Sequence, residues 1–251
     1  MANLLSTIKD ILQQKQHLPF SVYASMKEQR LLNVPTVKPL LVVVLNGVKK
    51  LGKNSELTCQ AGSFIFLSGS PSIDMRNIPK DNEYFALLIE FDYQDFNGLS
   101  VGMLSKKPHY CIGSTSLELE ECLQQFVESA LWAPEAIWSL RKREVIELLC
   151  HMGYSEIVSM VEHPNIGHRL HDMFYEQRHT PITITEICDR LAMSESTLRR
   201  KLSLEGTSLQ EIKDQARLGL GLHLLQTTQK TVGLIAETCG YQSQSRFTDR
   251  F

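Results

Sequence analysis

The chain has 251 residues and a mass of 28.5 kDa, enough for one large domain or two ordinary ones. Its 43% hydrophobic and 22% charged residues are those of a globular protein and exclude wholesale disorder. Lys and Arg number 26 against 28 Asp and Glu, so a net charge of −2 excludes a protein that grips nucleic acid by bulk charge, while leaving room for a local basic surface.

Residues 2–16 carry Leu4, Leu5, Ile8, Ile11 and Leu12 at helical spacing, which predicts a short amphipathic helix. Lys9, Asp10 and Lys15 interrupt this stretch, so it does not read as a secretory signal. From Ser21 to Asp92 short β-rich runs alternate with turn residues: PLLVVVL before Asn46-Gly47, SELTC before Ala61-Gly62, SFIFL before SGSPS, then EYFALLIEFD. Asn46-Gly47 predicts a hairpin, and the whole stretch an antiparallel sandwich or barrel of seven or eight strands. The longest apolar run, Pro39 to Leu45, is strand-sized, well short of the roughly 18–20 residues that cross a bilayer. The six cysteines (59, 111, 122, 150, 188 and 239) form no C-x-x-C pair and read as reduced, mostly buried thiols of a cytoplasmic protein.

From Thr115 the pattern becomes helical. Thr115 and Glu118 have capping-box spacing, and Pro134 suits the first turn of a second helix ending near His151. These two helices pack back on the barrel, offer a dimer seam through Leu140, Val145 and Leu148, or do both. Pro and Gly in EHPNIG mark a linker, giving expected domains 1–160 and 168–251 with a connection at 161–167. Charge splits only weakly there: residues 1–165 hold 15 basic and 18 acidic side chains, a balance of −3, and residues 166–251 hold 11 and 10, a balance of +1.

The C-terminal third repeats one pattern. In TITEICDRLAMSESTLRRKL, Thr183 and Glu186 predict a capping box, and Ile184, Ile187, Cys188 and Leu191 one buried face. Ala192-Met193 is a short turn, and Ser194 caps a second helix. That second helix buries Leu198 and Leu202 and exposes Ser196, Thr197, Arg199, Arg200 and Lys201. In TVGLIAETCGYQSQSRFTDRF, Leu234, Ile235 and Cys239 pack the first helix and Gly240 turns the chain. The second helix then exposes Gln244, Ser245, Arg246, Thr248 and Asp249 while burying Phe247 and Phe251. Both copies have helix-turn-helix grammar. The intervening 209–227 would form one helix about 28 Å long, close to the ~34 Å that separates successive major-groove faces.

The pieces MSESTLRRKLSLEGTSLQEI, ARL…LHLLQTT and IAETCGYQSQSRFTDRF give residues 166–251 a resemblance to the DNA-binding domain of AraC/XylS-type transcription regulators, closest to members controlling virulence or stress genes. The barrel and two helices upstream are like that family's cupin-type regulatory domain. The resemblance implies an α+β chain: a cupin-like barrel with two helices, then an all-α domain of two helix-turn-helix motifs joined by a long helix. It implies that Ser196, Arg199, Arg200, Gln244, Ser245 and Thr248 touch DNA, with Lys201 and Arg246 on phosphates. It also implies promoter DNA and RNA polymerase as partners, a homodimer, activation as the usual effect, and control by a small molecule or a regulatory protein. The family pattern continues past Phe251 with a basic stretch and one more helix, so the second motif is expected to lack its closing helix. Asp249 stands where the family often has a basic residue, and Gly219 and Gly221 interrupt the connector.

Catalysis finds no support. A cupin metal site needs histidines on inward strands, and residues 21–92 contain none. His163, His168 and His171 read as surface groups beside the linker. No phosphate loop, nucleophile elbow or H-E-x-x-H occurs, so no cofactor is expected. Lys27, Arg30, Lys49 and Arg76 are candidate anchors for an anion in the barrel, each with a plain surface-charge alternative. Besides the regulator, two further readings stand: a helix-turn-helix adapter for proteins and, less favoured, a cupin enzyme.

Overall fold

A computed structural model describes residues 1–15, 17–34, 38–52, 57–68, 73–99, 110–161, 166–176, 182–227 and 230–249. The chain divides into two units, Met1–Glu162 and His163–Phe251. No helix among the described residues is long and apolar enough to cross a membrane.

The first unit opens with α1 (Ala2–Gln14), whose Leu4, Ile8 and Ile11 are buried. Eight strands follow: β1 (Ser21–Ser25), β2 (Gln29–Val34), β3 (Leu40–Asn46), β4 (Val48–Leu51), β5 (Leu57–Gln60), β6 (Ser63–Leu67), β7 (Ile73–Ile78) and β8 (Tyr84–Glu90). A 3-10 turn (Tyr93–Phe96) and a ninth strand, β9 (Tyr110–Ser114), come next. One sheet has the order β1-β8-β3-β6-β9 and the other β2-β7-β4-β5, with every pairing antiparallel. Apart from the β4–β5 pair, successive strands from β1 to β8 switch sheets, which makes a jelly roll, the architecture of cupins.

That alternation corrects the hairpin expected at Asn46-Gly47. Gly47 (φ +85°) joins β3 of one sheet to β4 of the other and is a corner. A Cβ there would lie 2.6 Å from the Ile78 carbonyl oxygen, so glycine is required by space as well as by φ. The continuous run of β3 also has a physical cause. Leu41, Val43 and Leu45 face a core shared with the helices, whereas Val42 and Val44 face the jelly-roll interior. A strand buried on both faces has no polar side to alternate with.

The helical cover consists of α2 (Leu117–Ser129), α3 (Glu135–His151) and α4 (Glu156–Met160). The cap of α2 is Ser116, one residue later than the expected Thr115, because the Thr115 N–H is already bonded to the Gly62 carbonyl 2.8 Å away. Of the three expected seam residues, Val145 is fully buried in the core and Leu148 packs against it; Leu140, 63% exposed, is the one available to a partner. An α3 face buried in this core cannot also meet another copy.

The second unit contains α5 (Ile166–Glu176), α6 (Ile184–Leu191), α7 (Glu195–Leu204), α8 (Leu209–Thr227), α9 (Val232–Thr238) and α10 (Gln244–Thr248). Residues 162–165 of the expected linker lie outside the described residues, and Ile166 and Gly167 are already helical. Their free N–H groups donate to the Glu205 carboxylate at 3.0 and 2.9 Å. His171 on α5 is buried rather than superficial, and His163 is not described. Two small cores hold this unit. One gathers Leu170, Ile187, Leu191, Leu198, Leu202 and Ile212; the other gathers Leu220, Ile235, Ala236, Cys239 and Phe247. The long helix α8 contributes to both.

Candidate DNA-recognition surface

The first motif is built by its caps. The Thr183 hydroxyl accepts from the Glu186 N–H, and the Glu186 carboxylate accepts from the Thr183 N–H at 2.8 Å, closing the expected capping box. Those hydrogen bonds, the backbone one foremost, hold the Glu186 carboxyl below the usual carboxylate range. Ala192 ends α6 in the left-handed conformation (φ 51°, ψ 47°), letting the Met193 N–H return to the Cys188 carbonyl at 3.1 Å. The Ser194 hydroxyl then caps α7 by accepting from the Thr197 N–H. Leu198 and Leu202 are buried, so one face of α7 is fixed inward.

The outward face carries Ser196, Arg199, Arg200 and Lys201, all exposed. Thr197 is different: it is half-buried and its hydroxyl lies 3.0 Å from that of Ser194, which ties it to the cap. The Arg199 guanidinium is paired with Glu195 one turn back, at 2.6–2.8 Å. Glu195 therefore belongs to this surface, and the i,i+4 spacing was the sequence signal for it.

The second motif repeats the construction. Thr231 caps α9 by accepting from the Leu234 N–H; Gly240 (φ +77°) turns the chain; Ser243 caps α10 by accepting from the Arg246 N–H. Ile235 and Cys239 are buried as expected, but Leu234 is 47% exposed, and Val232 packs against the core in its place. On a two-turn helix only one face meets the core, and the caps aim Ile235, Ala236 and Cys239 there. Phe247 is buried and meets Tyr241 edge-on with ring centroids 5.3 Å apart; Phe251 lies outside the described residues. Gln244, Ser245, Arg246 and Thr248 are exposed together. The Arg246 guanidinium donates to the Gln242 side-chain oxygen at 2.9 Å, and the Thr248 hydroxyl to the Gln244 carbonyl at 3.1 Å. Asp249 is exposed at the helix end.

The two motifs are bridged by α8, 19 residues long as read from the sequence, or about 28 Å. Its two glycines separate in role. A Cβ on Gly221 would stand 2.6 Å from the Phe247 ring and 3.5 Å from the Cys239 sulfur, whereas a Cβ on Gly219 meets nothing within 4 Å. Gly221 lets α10 close on α8.

Capped pairs of short helices, each with an inward apolar face and an outward polar one, define a helix-turn-helix protein. A family profile described as "Helix-turn-helix domain" matches residues 187–251, and this part of the chain is an AraC-type helix-turn-helix domain. The chain is similar to the HTH-type transcriptional regulator YdeO of Escherichia coli K12, 39% identical over 71 residues, 28% of each chain. It is also similar to the HTH-type transcriptional regulator GadX of E. coli O6:H1, 29% identical over 113 residues, 43% of this chain and 41% of that one. The matched stretches thus span less than half the length of these curated relatives. In fold the chain is similar to ToxT of Vibrio cholerae. The apo structure of a ToxT point variant has a TM-score of 0.64 at 17% identity over 94% of both chains, and the unsaturated-fatty-acid-bound wild-type structure a TM-score of 0.64 at 16% identity.

Proposed function

We propose that the chain is a sequence-specific regulator of transcription that binds double-stranded promoter DNA in the cytoplasm, acts as an activator through RNA polymerase, and works as a homodimer. The carrying observation is the pair of side-chain-capped helices α7 and α10, each with hydrogen-bond donors on its outer face and both packed on α8. In this reading Ser196, Arg199 and Arg200 meet one major groove, and Gln244, Ser245 and Thr248 the next. Arg199 reads guanine O6 and N7, and Gln244 reads adenine. Lys201 and Arg246 hold phosphates, which position the protein without specifying sequence.

The N-terminal unit takes the controlling signal. The jelly roll, and a ToxT structure carrying an unsaturated fatty acid, support a small molecule in that role. Signal binding acts by shifting the population of chains whose two recognition helices dock together. The test is selection from a random duplex library at two salt concentrations. A bipartite motif with half-sites about one helical turn apart is the expected result; enrichment of no motif at either salt overturns the reading. The exposed Leu140 marks the dimer surface, so Leu140→Arg is expected to give monomers by sedimentation, and an unchanged dimer moves the interface elsewhere.

A further inference from the structure

Of the four cationic side chains that the sequence offers as anion anchors, Lys49 alone points inward, 5% exposed. Lys27 is exposed, and Arg30 and Arg76 lie on the outer face of the four-stranded sheet. In antiparallel sheets, directly opposed residues share a face, so register sorts this sheet into two polar rungs. The inward rung is Gln29, Asn77, Lys49 and Cys59, with Tyr23 and Tyr84 facing it from the other sheet. The outward rung, one residue along each strand, is Arg30, Arg76, Lys50 and Thr58.

The outward rung sets three cations side by side on adjacent strands, although like charges directly opposed work against a sheet. Glu28 pairs with Arg76. No carboxylate among the described residues pairs with Arg30 or Lys50. With strands about 4.8 Å apart, these two cations stand about 10 Å from each other, with the neutralised Arg76 midway. The helices do not cover this face: α1, α2, α3 and α4 bury their apolar sides in the core on the far side of the five-stranded sheet.

At the other end of that stack of layers, α2 turns outward a face of opposite sign. Its Leu119, Cys122, Leu123, Phe126 and Val127 are buried, which leaves Glu121, Gln125 and Glu128 exposed along one stripe. No cation among the described residues pairs with Glu121 or Glu128; Glu128 accepts only from the neutral Gln124 amide, at 2.6 Å. Along the helix axis Gln125 stands about 4.5 Å from Glu128, and Glu121 about 10.5 Å. That is the spacing of the rung, and the charges match step for step. A carboxylate answers Arg30, a neutral amide answers the already paired Arg76, and a carboxylate answers Lys50. The two faces look out from opposite ends of one folded unit, so they do not meet within one copy.

We infer that the outer face of the four-stranded sheet receives the α2 stripe of a second copy of the chain, with Glu128 on Arg30, Gln125 beside Arg76 and Glu121 on Lys50. Contact between two different patches is heterologous: it runs head to tail and extends from copy to copy instead of closing. Exposed ion pairs are individually weak and screened by salt, so this is a transient contact that strengthens as ionic strength falls. It goes beyond the proposed function and needs neither DNA nor the apolar dimer surface at Leu140.

The experiment is sedimentation velocity of the full chain over a concentration series, in sodium chloride below about 0.05 M and above about 0.3 M, where the screening length is long and short. The wild type is expected to form species larger than any salt-resistant dimer at low salt and to lose them at high salt. Arg30→Glu/Lys50→Glu and Glu121→Lys/Glu128→Lys are each expected to weaken this association about tenfold or more, because two attractions become two repulsions. Mixed one to one, the two variants are expected to regain it, since the sheet face of the first then carries the charge that the helix of the second requires. All four side chains are exposed or half-buried, and unchanged unfolding midpoints are expected for both variants. Absence of salt-dependent association in the wild type, loss in only one of the two variants, or no recovery on mixing overturns the inference. So does unchanged association in Arg30→Glu/Lys50→Glu with affinity for random duplex lost, which would make this face a nucleic-acid contact. A chain that associates in this way but selects no DNA motif would sink the regulator reading and leave this contact standing.

Discussion

The two glycines of α8 provide opposite expectations from the same substitution. Alanine in place of glycine inside a helix gains about 1 kcal/mol from propensity alone. At Gly219 the new methyl meets nothing within 4 Å, so Gly219→Ala is expected to stabilise by that amount. At Gly221 the same methyl lands 2.6 and 2.8 Å from two carbons of the Phe247 ring. That ring is buried and braced against Tyr241, so it cannot swing into solvent without opening the second core. Overpacking of this kind costs about 1–3 kcal/mol, which cancels the propensity gain or exceeds it by up to about 2 kcal/mol. The difference between the two variants isolates the clash, because propensity enters both alike. Hydrogen exchange of the α9 and α10 amides measures it locally, where global unfolding of a two-unit chain would blur it. Phe247 lies between Arg246 and Thr248, so Gly221→Ala is also expected to weaken binding to the half-site of α10 while sparing that of α7. Equal stability of Gly219→Ala and Gly221→Ala would refute the argument that Gly221 sets the approach of α10 to α8.

Arg199→Ala is expected to cost about 1–3 kcal/mol on a selected site and to relax specificity at one position; equal loss on random duplex would reassign it to phosphate. Lys201→Ala is expected to weaken all sequences alike and to flatten the salt slope by about one unit, and a sequence-selective loss would contradict that role. Ala192→Gly is expected to stabilise the first motif by about 1 kcal/mol, because Ala192 ends α6 at φ 51°, a conformation that disfavours a Cβ; an unchanged unfolding midpoint would show the turn to be unstrained. Lys49→Met is expected to be more stable than wild type near neutral pH. The folded-state value of Lys49, about 8 against 10.5 unfolded, means the buried cation costs the fold most below pH 8. The native chain loses that proton first as pH rises, so the cost is relieved between pH 8 and 10.5, and the advantage of Lys49→Met shrinks there by about 3 kcal/mol. The groups facing Lys49, namely Cys59, Tyr23 and Tyr84, are all pushed up by burial. They stay protonated in the native state and act in the opposite direction in both proteins, so the difference between variants is the readout. A gap that does not narrow would show that Lys49 is not a buried cation.

Much of this architecture is legible in the chain. The caps Thr183 and Ser194 are local chemistry, decided by a hydroxyl and the amide three residues on, and they survive in the structure at the residues where the sequence places them. Strand number between Ser21 and Asp92 is legible too, because turn residues punctuate it, whereas β9 (Tyr110–Ser114) goes unread. What escapes is long-range. Asn46-Gly47 has the composition of a hairpin, and only the pairing of β3 with β6 and β8 reveals a corner between sheets. Val145 and Leu140 are both apolar in sequence, yet one is buried in the core and the other faces solvent. The inward rung at Lys49 is hidden because its members, 29, 77, 49 and 59, come from four strands whose register no single-strand pattern encodes.

The same contrast separates the two recognition helices. On α7 and its cap, Arg199, Arg200 and Lys201 are exposed beside Glu195, which pairs with Arg199, and Glu205, which accepts from the Ile166 and Gly167 N–H groups. On α10 and its cap, Arg246 is offset by Asp249, and the remaining exposed groups, Gln244, Ser245 and Thr248, are neutral. On the proposed function, phosphate attraction among the described residues is expected to be stronger on α7 than on α10, because counterion release scales with the cations that meet phosphate. With less charge to hold it on an incorrect sequence, α10 is expected to depend on hydrogen bonds to base edges. On the proposed function, α7 is expected to anchor the chain and α10 to discriminate. Gly221, which seats α10 on the shared helix, couples the discriminating half to the anchored one.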